Sequence, residues 1–293
     1  MENFVILAVL AAAFLHAFWN FLLKENHDKA LSMYAVTVGH LPIALVGVAF
    51  VGLPPSEALP YIILSGFLHT GYQVFLMNAY RFGALSNIYP IARGLSPLLL
   101  ALVTIGFAHD ELSWLELLGI GLVAGALIIF GLAQYRFNKD GPLGVILAII
   151  TGCFIASYSL TDALGTRVTG SAFAFYGAMS FVNVLLFTGY YLCFHRDALK
   201  RLPREGMKMM VVGGGASYLA YVMVLWACLT LPVAVVSSLR ETSVLIVMIF
   251  GVVFLKEDLT RPKLLACIAV VCGIALMRLG EIPYKALDIL IKN

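Results

Sequence analysis

The sequence predicts an all-α integral membrane protein, with ten transmembrane helices arranged as two inverted five-helix repeats. Composition is the first reason. Of 293 residues, 61% are hydrophobic and only 12% charged, with a mean hydropathy of +0.96; an average soluble domain carries about twice that charged fraction. Span length is the second, because apolar runs of about 20 residues recur along the chain and about 20 helical residues cross ~30 Å of hydrocarbon. The third is a likeness between the two halves. Together these exclude an ordinary soluble enzyme and make lipid the solvent. The formal net charge of +3 is spread between apolar runs rather than gathered in a patch, so no nucleic acid partner is expected.

Apolar runs between charged or Pro/Gly-rich breaks place spans 1 to 5 at Phe4–Leu23, Leu31–Val51, Leu59–Tyr80, Leu85–Ala108 and Leu115–Tyr135. Spans 6 to 10 follow at Leu143–Ala163, Ala172–Phe194, Met209–Leu229, Val233–Leu255 and Arg261–Leu279. Span 1 opens without the basic region of a signal peptide and runs through His16, Trp19 and Asn20 into Lys24, as a retained helix does. Connections are short and end in turn residues, such as Gly52-Leu53-Pro54-Pro55 and Asp140-Gly141-Pro142. Span 4 holds Pro90 and Pro97 around Arg93-Gly94, so it should kink or unwind there. In span 8, Gly213-Gly214-Gly215 suits close helix packing. The tail after Gly280 alternates apolar and charged residues and fits either an interfacial segment or a frayed end.

Basic residues set the expected orientation. Loops after the odd spans hold thirteen Lys and Arg, five of them between His195 and Lys208, against four on the other side. By the positive-inside rule the odd loops are cytoplasmic and both termini lie outside.

Laying span 4 on span 9 exposes the repeat. At an offset of 147, Arg93 meets Arg240, Gly66 meets Gly213, and Ala108-His109-Asp110-Glu111-Leu112-Ser113 meets Leu255-Lys256-Glu257-Asp258-Leu259-Thr260. At an offset of 139, Ala17-Phe18-Trp19-Asn20 meets Ala156-Ser157-Tyr158-Ser159, and the basic loop from His195 to Lys208 absorbs the difference. Five spans per half is an odd number, so the halves enter the membrane in opposite senses and a substrate site is expected between them at mid-depth. The expected units are residues 1–137, 138–280 and a tail at 281–293.

With two five-helix repeats, an acidic-x-Leu-Ser/Thr element before spans 5 and 10, and final helices ending in Ala124-Gly125 and Cys272-Gly273, the chain resembles EamA-type members of the drug/metabolite transporter superfamily along essentially its whole length. Leu15-His16-Ala17-Phe18-Trp19-Asn20 with Lys24 also resembles a phosphonate-associated subgroup. The resemblance implies secondary transport of small metabolites without ATP, in a cell membrane such as the bacterial inner membrane. It leaves the substrate open.

Arg93 and Arg240 are the foremost candidate substrate-binding residues. At 1.5 Å per residue each lies roughly 11–12 Å into its span, where an uncompensated charge costs about 3 kcal/mol or more. Guanidiniums converging from two repeats suit a carboxylate, phosphate or phosphonate. Glu241, the acid within span 9, points about 100° away from Arg240 and is placed to reach Arg93 instead. Trp19 and Tyr158, with Asn20 and Ser159 beside them, occupy matched positions and fit either a pocket wall or an interfacial aromatic belt. His69 and Gln73 share one face of span 3 and either line the path or bond between helices. His40 and Asn183 read as isolated structural residues, and Asp162 as a partner or cap for Arg167. Ser113 and Thr260 read as N-caps behind the acidic Asp110 and Glu257.

The five cysteines show no disulfide or zinc spacing, and the sequence lacks GxSxG, HExxH and Walker motifs, so neither an enzyme nor a cofactor or metal site is expected. The expected partners are a small-molecule metabolite, the lipid bilayer and a proton as candidate coupling ion. Alternatives are an exporter of aromatic or other amino acids, and a non-transporting receptor or scaffold.

Overall fold

The computed structural model describes residues 2–26, 28–82, 85–108, 112–137, 142–254 and 260–280, and all regular structure there is helical. Helices α1 (Glu2–Glu25), α2 (Lys29–Val38), α3 (His40–Val51), α4 (Leu59–Ala79), α5 (Leu85–Val103) and α6 (Trp114–Phe137) form the first half. The second comprises α7 (Pro142–Thr169), α8 (Ala172–Phe194), the short α9 (Arg196–Arg201), α10 (Gly214–Ala227), α11 (Val233–Arg240), α12 (Thr242–Phe254) and α13 (Arg261–Gly280). The tail, Asp110 and Glu257 lie outside the described residues.

Among the described residues, nine segments are long and apolar enough to cross a membrane. The 21-residue α4 falls short of that apolarity, since His69, Thr70, Gln73 and Asn78 interrupt it.

Three spans depart from expectation in their continuity. Span 2 divides at Gly39 into α2 and α3. Pro42 causes this, because it offers no N–H to the Val38 carbonyl and its ring crowds that oxygen. Glycine also serves at the break, where the approach of the π-helical turn Met209–Gly213, which leads into α10, leaves a Cβ on Gly39 only 2.0 Å from the Met210 carbonyl oxygen. Span 4, in contrast, stays α-helical through both prolines and ends in a π-helical turn at Thr104–Ala108. Gly94 presses α5 against α6 so closely that a Cβ would stand 2.8 Å from the Ala124 carbonyl oxygen, and this packing supports the weakened turn. Span 9 breaks instead, at Glu241. There the Glu241 amide donates to Ser238 O at 3.0 Å and the Thr242 hydroxyl to Leu239 O at 2.8 Å, so local polar bonds displace the α ladder.

Helix packing follows small residues. α6 lies on α13 through Gly119 and Gly273, where a Cβ on the first would stand 2.4 Å from the carbonyl oxygen of the second. Gly214 of α10 likewise meets Val36 O and Gly39 at under 3 Å from a built Cβ. Elsewhere α1 packs on α10, α11 and α12, α7 on α4 and α5, α3 on α8, α5 on α6, and α12 on α13. Of the nine segments α13 is the least buried, and large apolar side chains such as Phe4, Phe50, Ile129, Leu185 and Leu265 face outward, as lipid contact requires. Helix α6 starts with a reciprocal capping box, Ser113 N–H to Glu116 Oε2 at 2.7 Å and Glu116 N–H to Ser113 Oγ at 3.3 Å.

Candidate functional site

The packing of α5 against α11 carries both mid-depth arginines into the protein core, Arg93 at 2% and Arg240 at 3% exposure. Their surroundings differ. Arg93 Nε donates to Glu241 Oε2 at 2.9 Å, its Nη2 lies 3.5 Å from Ser243 Oγ, and its guanidinium stands 5.6 Å from the centre of the Tyr89 ring. The break at Glu241 gives this carboxylate to α5 rather than to its own neighbour.

Among the described residues no carboxylate pairs with Arg240. Its guanidinium stands 6.0 Å from the centre of the Tyr221 ring, while Nε and Nη2 are buried without a hydrogen-bond partner. It lines, with Ser159, Ser237 and Tyr221, a cavity of about 10 Å³, enough for one water. The hydroxyls of Ser159 and Ser237 also lack partners. A buried donor left unbonded costs about 1–3 kcal/mol, and more when charged, so this closed site concentrates unspent hydrogen-bonding capacity around one cation.

A polar string reaches Arg93 from α1. Trp19 Nε1 donates to His16 Nδ1 at 3.3 Å, and His16 Nε2 lies 2.8 Å from the Tyr89 hydroxyl. Because Nδ1 accepts, Nε2 carries the proton and His16 is neutral in this arrangement. Asn20 Nδ2 donates to the His16 carbonyl at 2.8 Å. Trp19 and Tyr158 are each 5% exposed, so they line protein interior and form no lipid-facing belt.

His69 and Gln73 share a helix face but not a network. His69 stacks on Tyr158 with centroids 4.0 Å apart, and its Nε2 lies 2.9 Å from Asp162 Oδ2. Gln73 instead bonds to Thr37 at 3.0 Å and exchanges bonds with Asn183 at 3.2 and 3.4 Å, joining α2, α4 and α8. Asn183 is therefore not isolated. Nor is His40, whose Nδ1 lies 3.5 Å from the Tyr176 hydroxyl.

Asp162 requires the largest correction. It does not pair with Arg167, whose Nε and Nη2 donate to the carbonyls of Cys228 at 3.0 Å and Leu231 at 3.3 Å. Its carboxylate receives the Tyr221 hydroxyl at 2.6 Å and His69, and it is fully buried. One available signal pointed here, since Asp162 stands four residues from Tyr158 and so on the same helix face. Tyr89 and Tyr221, which connect these groups to the arginines, carry no mark in the sequence that separates them from other tyrosines.

At one end of the bundle Asp28 caps α2 through the Leu31 amide at 2.9 Å and takes Arg201 Nη2 at 2.5 Å. Burial alone would push the Asp28 carboxyl up; the Leu31 amide and the Arg201 guanidinium outweigh it and hold the group below the usual carboxylate range.

Comparison with known proteins now bears on this site. The EamA-like transporter family model matches residues 142–279. Over those residues the chain is EamA-like, a family within the drug/metabolite transporter superfamily. With nine segments among the described residues long and apolar enough to cross a membrane, it is a multi-pass membrane protein whose second half matches a family of small-molecule transporters. A solved crystal structure shares the fold of this chain, with a TM-score of 0.78 at 15% identity over 96% of this chain and 99% of that one. It is among 29 chains that match. No curated protein matches.

Proposed function

We propose that this EamA-type protein is a secondary active transporter of a small anionic or zwitterionic metabolite, working by alternating access between two inverted five-helix repeats. The single observation that carries the substrate class is Arg240, a buried guanidinium with two unpartnered donor atoms beside the hydroxyls of Ser159 and Ser237. A planar fork of donors in low dielectric calls for a carboxylate, phosphate or phosphonate. Arg93, already satisfied by Glu241, positions that region and does not compete for the anion.

Packing supports the repeats. The contact of α1 with α10 has its counterpart in α7 with α4, that of α1 with α11 and α12 in α7 with α5, and that of α5 with α6 in α12 with α13. Contacts α3–α8 and α6–α13 are their own counterparts, as a two-fold relation demands. The cavity at Arg240 admits no metabolite, which fits a closed state that must open to load. Both termini outside and the His195–Lys208 loop inside follow from the basic residues.

A second reading, export of an aromatic amino acid, draws on the tyrosines beside Arg240: Tyr221 and Tyr158 have centroids 6.0 Å apart. Counterflow in proteoliposomes with labelled methylphosphonate, lactate and phenylalanine decides between them. Exchange of at least one of these, abolished in Arg240→Ala of unchanged melting temperature, is the expected result. Unchanged apparent affinity in that variant, or exchange of cations alone, refutes the assignment.

A further inference from the structure

We propose that Asp162 is a proton-binding site linked to anion binding at Arg240, so that one proton is carried with each monoanion; the inference rests on the anion-transport reading above. Asp162 is fully buried and both its bonds fall on one oxygen: the Tyr221 hydroxyl at 2.6 Å and His69 Nε2 at 2.9 Å reach Oδ2. Oδ1 has no partner. The other face of the Tyr221 link is the guanidinium of Arg240, 6.0 Å from its ring centre. A carboxylate and an unpaired arginine are thus held on either side of one tyrosine.

The repeat indicates that this cluster is not required by the scaffold. At the offsets that align the halves, Asp162 corresponds to Leu23, His69 to Ala216, Tyr221 to Val74 and Tyr158 to Trp19. Those four counterparts gather in one apolar cluster, with Leu23 at 1% exposure. The same position in the same packing is therefore filled by hydrocarbon in one half and by a carboxylate, an imidazole and a phenol in the other. Buried ionisable groups are weak stabilisers compared with apolar residues of similar volume, so the polar version points to a use.

Charge balance supplies it. Arg93 and Arg240 are matched in number by Glu241 and Asp162, so these four groups carry no net charge when both carboxyls are ionised. A monoanion on Arg240 makes that set negative. Protonation of Asp162 restores neutrality, so empty and doubly loaded forms both close while the singly loaded forms are disfavoured. The proton comes from water on one side to form an O–H bond on Oδ1, and returns to water on the other. No other bond changes.

Groups facing Asp162 from neighbouring elements are consistent with one titrating carboxyl. Helix α4 presents His69, α10 presents Tyr221, and Tyr176 of α8 packs at a tilt on Tyr221 with ring centroids 4.8 Å apart. Tyr72 of α4 packs on Tyr158 at 5.5 Å, and the charges of Arg240 and Arg93, from α11 and α5, act on Tyr158 rather than contacting Asp162. Glu57, on the turn before α4, is exposed.

The test uses purified full-length protein and two probes whose own charge is constant near neutral pH, lactate and methanesulfonate, with binding read by melting shift. Linkage of one proton to one anion predicts apparent affinity rising about tenfold per unit fall in pH. Asp162→Asn, which imitates the protonated carboxyl, should bind at every pH as the wild type does at low pH. Wild-type affinity that is independent of pH overturns the proton site while the anion reading stands. Binding of neither probe at any pH, together with no counterflow of the anions tested above, removes both. Should Asp162→Asn fail to fold, the wild-type profile still decides, and the Asp162→Leu/His69→Ala pair, copied from the apolar half, should fold and bind without pH dependence.

Discussion

Removing the charge of Glu241 isolates what the ion pair with Arg93 contributes. Both partners are almost wholly buried, with side-chain exposures of 3% and 0%, and their single close contact is 2.9 Å. Breaking such a pair from one side costs about 3–5 kcal/mol, because it strands the other charge away from water. Replacing both partners by neutral residues of similar size is often close to neutral in the same accounting. Glu241→Gln should therefore destabilise by about 3–5 kcal/mol, since the amide still accepts from Arg93 Nε but no longer balances its charge. Arg93→Met should lose a comparable amount. The double variant should lose far less than the two losses combined, a coupling on the order of 3 kcal/mol. Equilibrium unfolding of the four proteins in mixed micelles with added SDS measures this directly. Additive losses, or a Glu241→Gln protein within about 1 kcal/mol of wild type, would show that Arg93 is neutralised elsewhere and that the break in span 9 has another cause.

Arg240→Lys keeps charge but loses the planar fork, so anion affinity should fall at least tenfold with little change in melting, checked by counterflow. Gly119→Ala puts a Cβ 2.4 Å from the Gly273 carbonyl oxygen; the overpacking should cost about 1–3 kcal/mol and leave substrate affinity unchanged in the folded fraction. In a cysteine-free background, Lys200→Cys should resist membrane-impermeant maleimide in intact cells and react after permeabilisation; labelling from outside would invert the topology. Asp28 is held below its usual value of 3.8 in the folded protein, so its contribution is complete at neutral pH and is lost only as acid carries the carboxyl through that lowered value. Asp28→Asn, which still caps α2, should cost under about 1 kcal/mol at pH 7 because the ion pair with Arg201 is solvent-exposed.

Spans and mid-depth charges were legible because each depends on the cost of placing one residue type in hydrocarbon, a property of short windows. Partners were not. Hydropathy ends span 6 near Ala163, which puts Asp162 beside Arg167, whereas α7 runs on to Thr169 and sinks the carboxylate about 10 Å below its helix end. The polar residues Thr161, Thr166 and Arg167 disguise that extension by lowering the hydropathy of a segment that faces protein, not lipid. The break lies in span 9 rather than in span 4 for a related reason. Proline weakens a helix locally, and α6 holds α5 together around it; the carboxylate that opens span 9 is drawn by an arginine 148 positions away.

That distant pairing also explains why two matched arginines end in different states. At the offset that aligns Arg93 with Arg240, the counterpart of Glu241 is Gly94. An acid at position 94 could neutralise Arg240 as Glu241 neutralises Arg93. Packing forbids it, because a Cβ there would lie 2.8 Å from the Ala124 carbonyl oxygen and 2.9 Å from the Leu127 Cβ. The close seat of α5 on α6 thus has an electrostatic consequence: it bars an acid from position 94, which aligns with Glu241, and so from the neighbourhood of Arg240. What remains for that guanidinium is the aromatic face of Tyr221, the distant carboxylate of Asp162 behind it, and, in the transport cycle proposed above, the anion that enters between the halves.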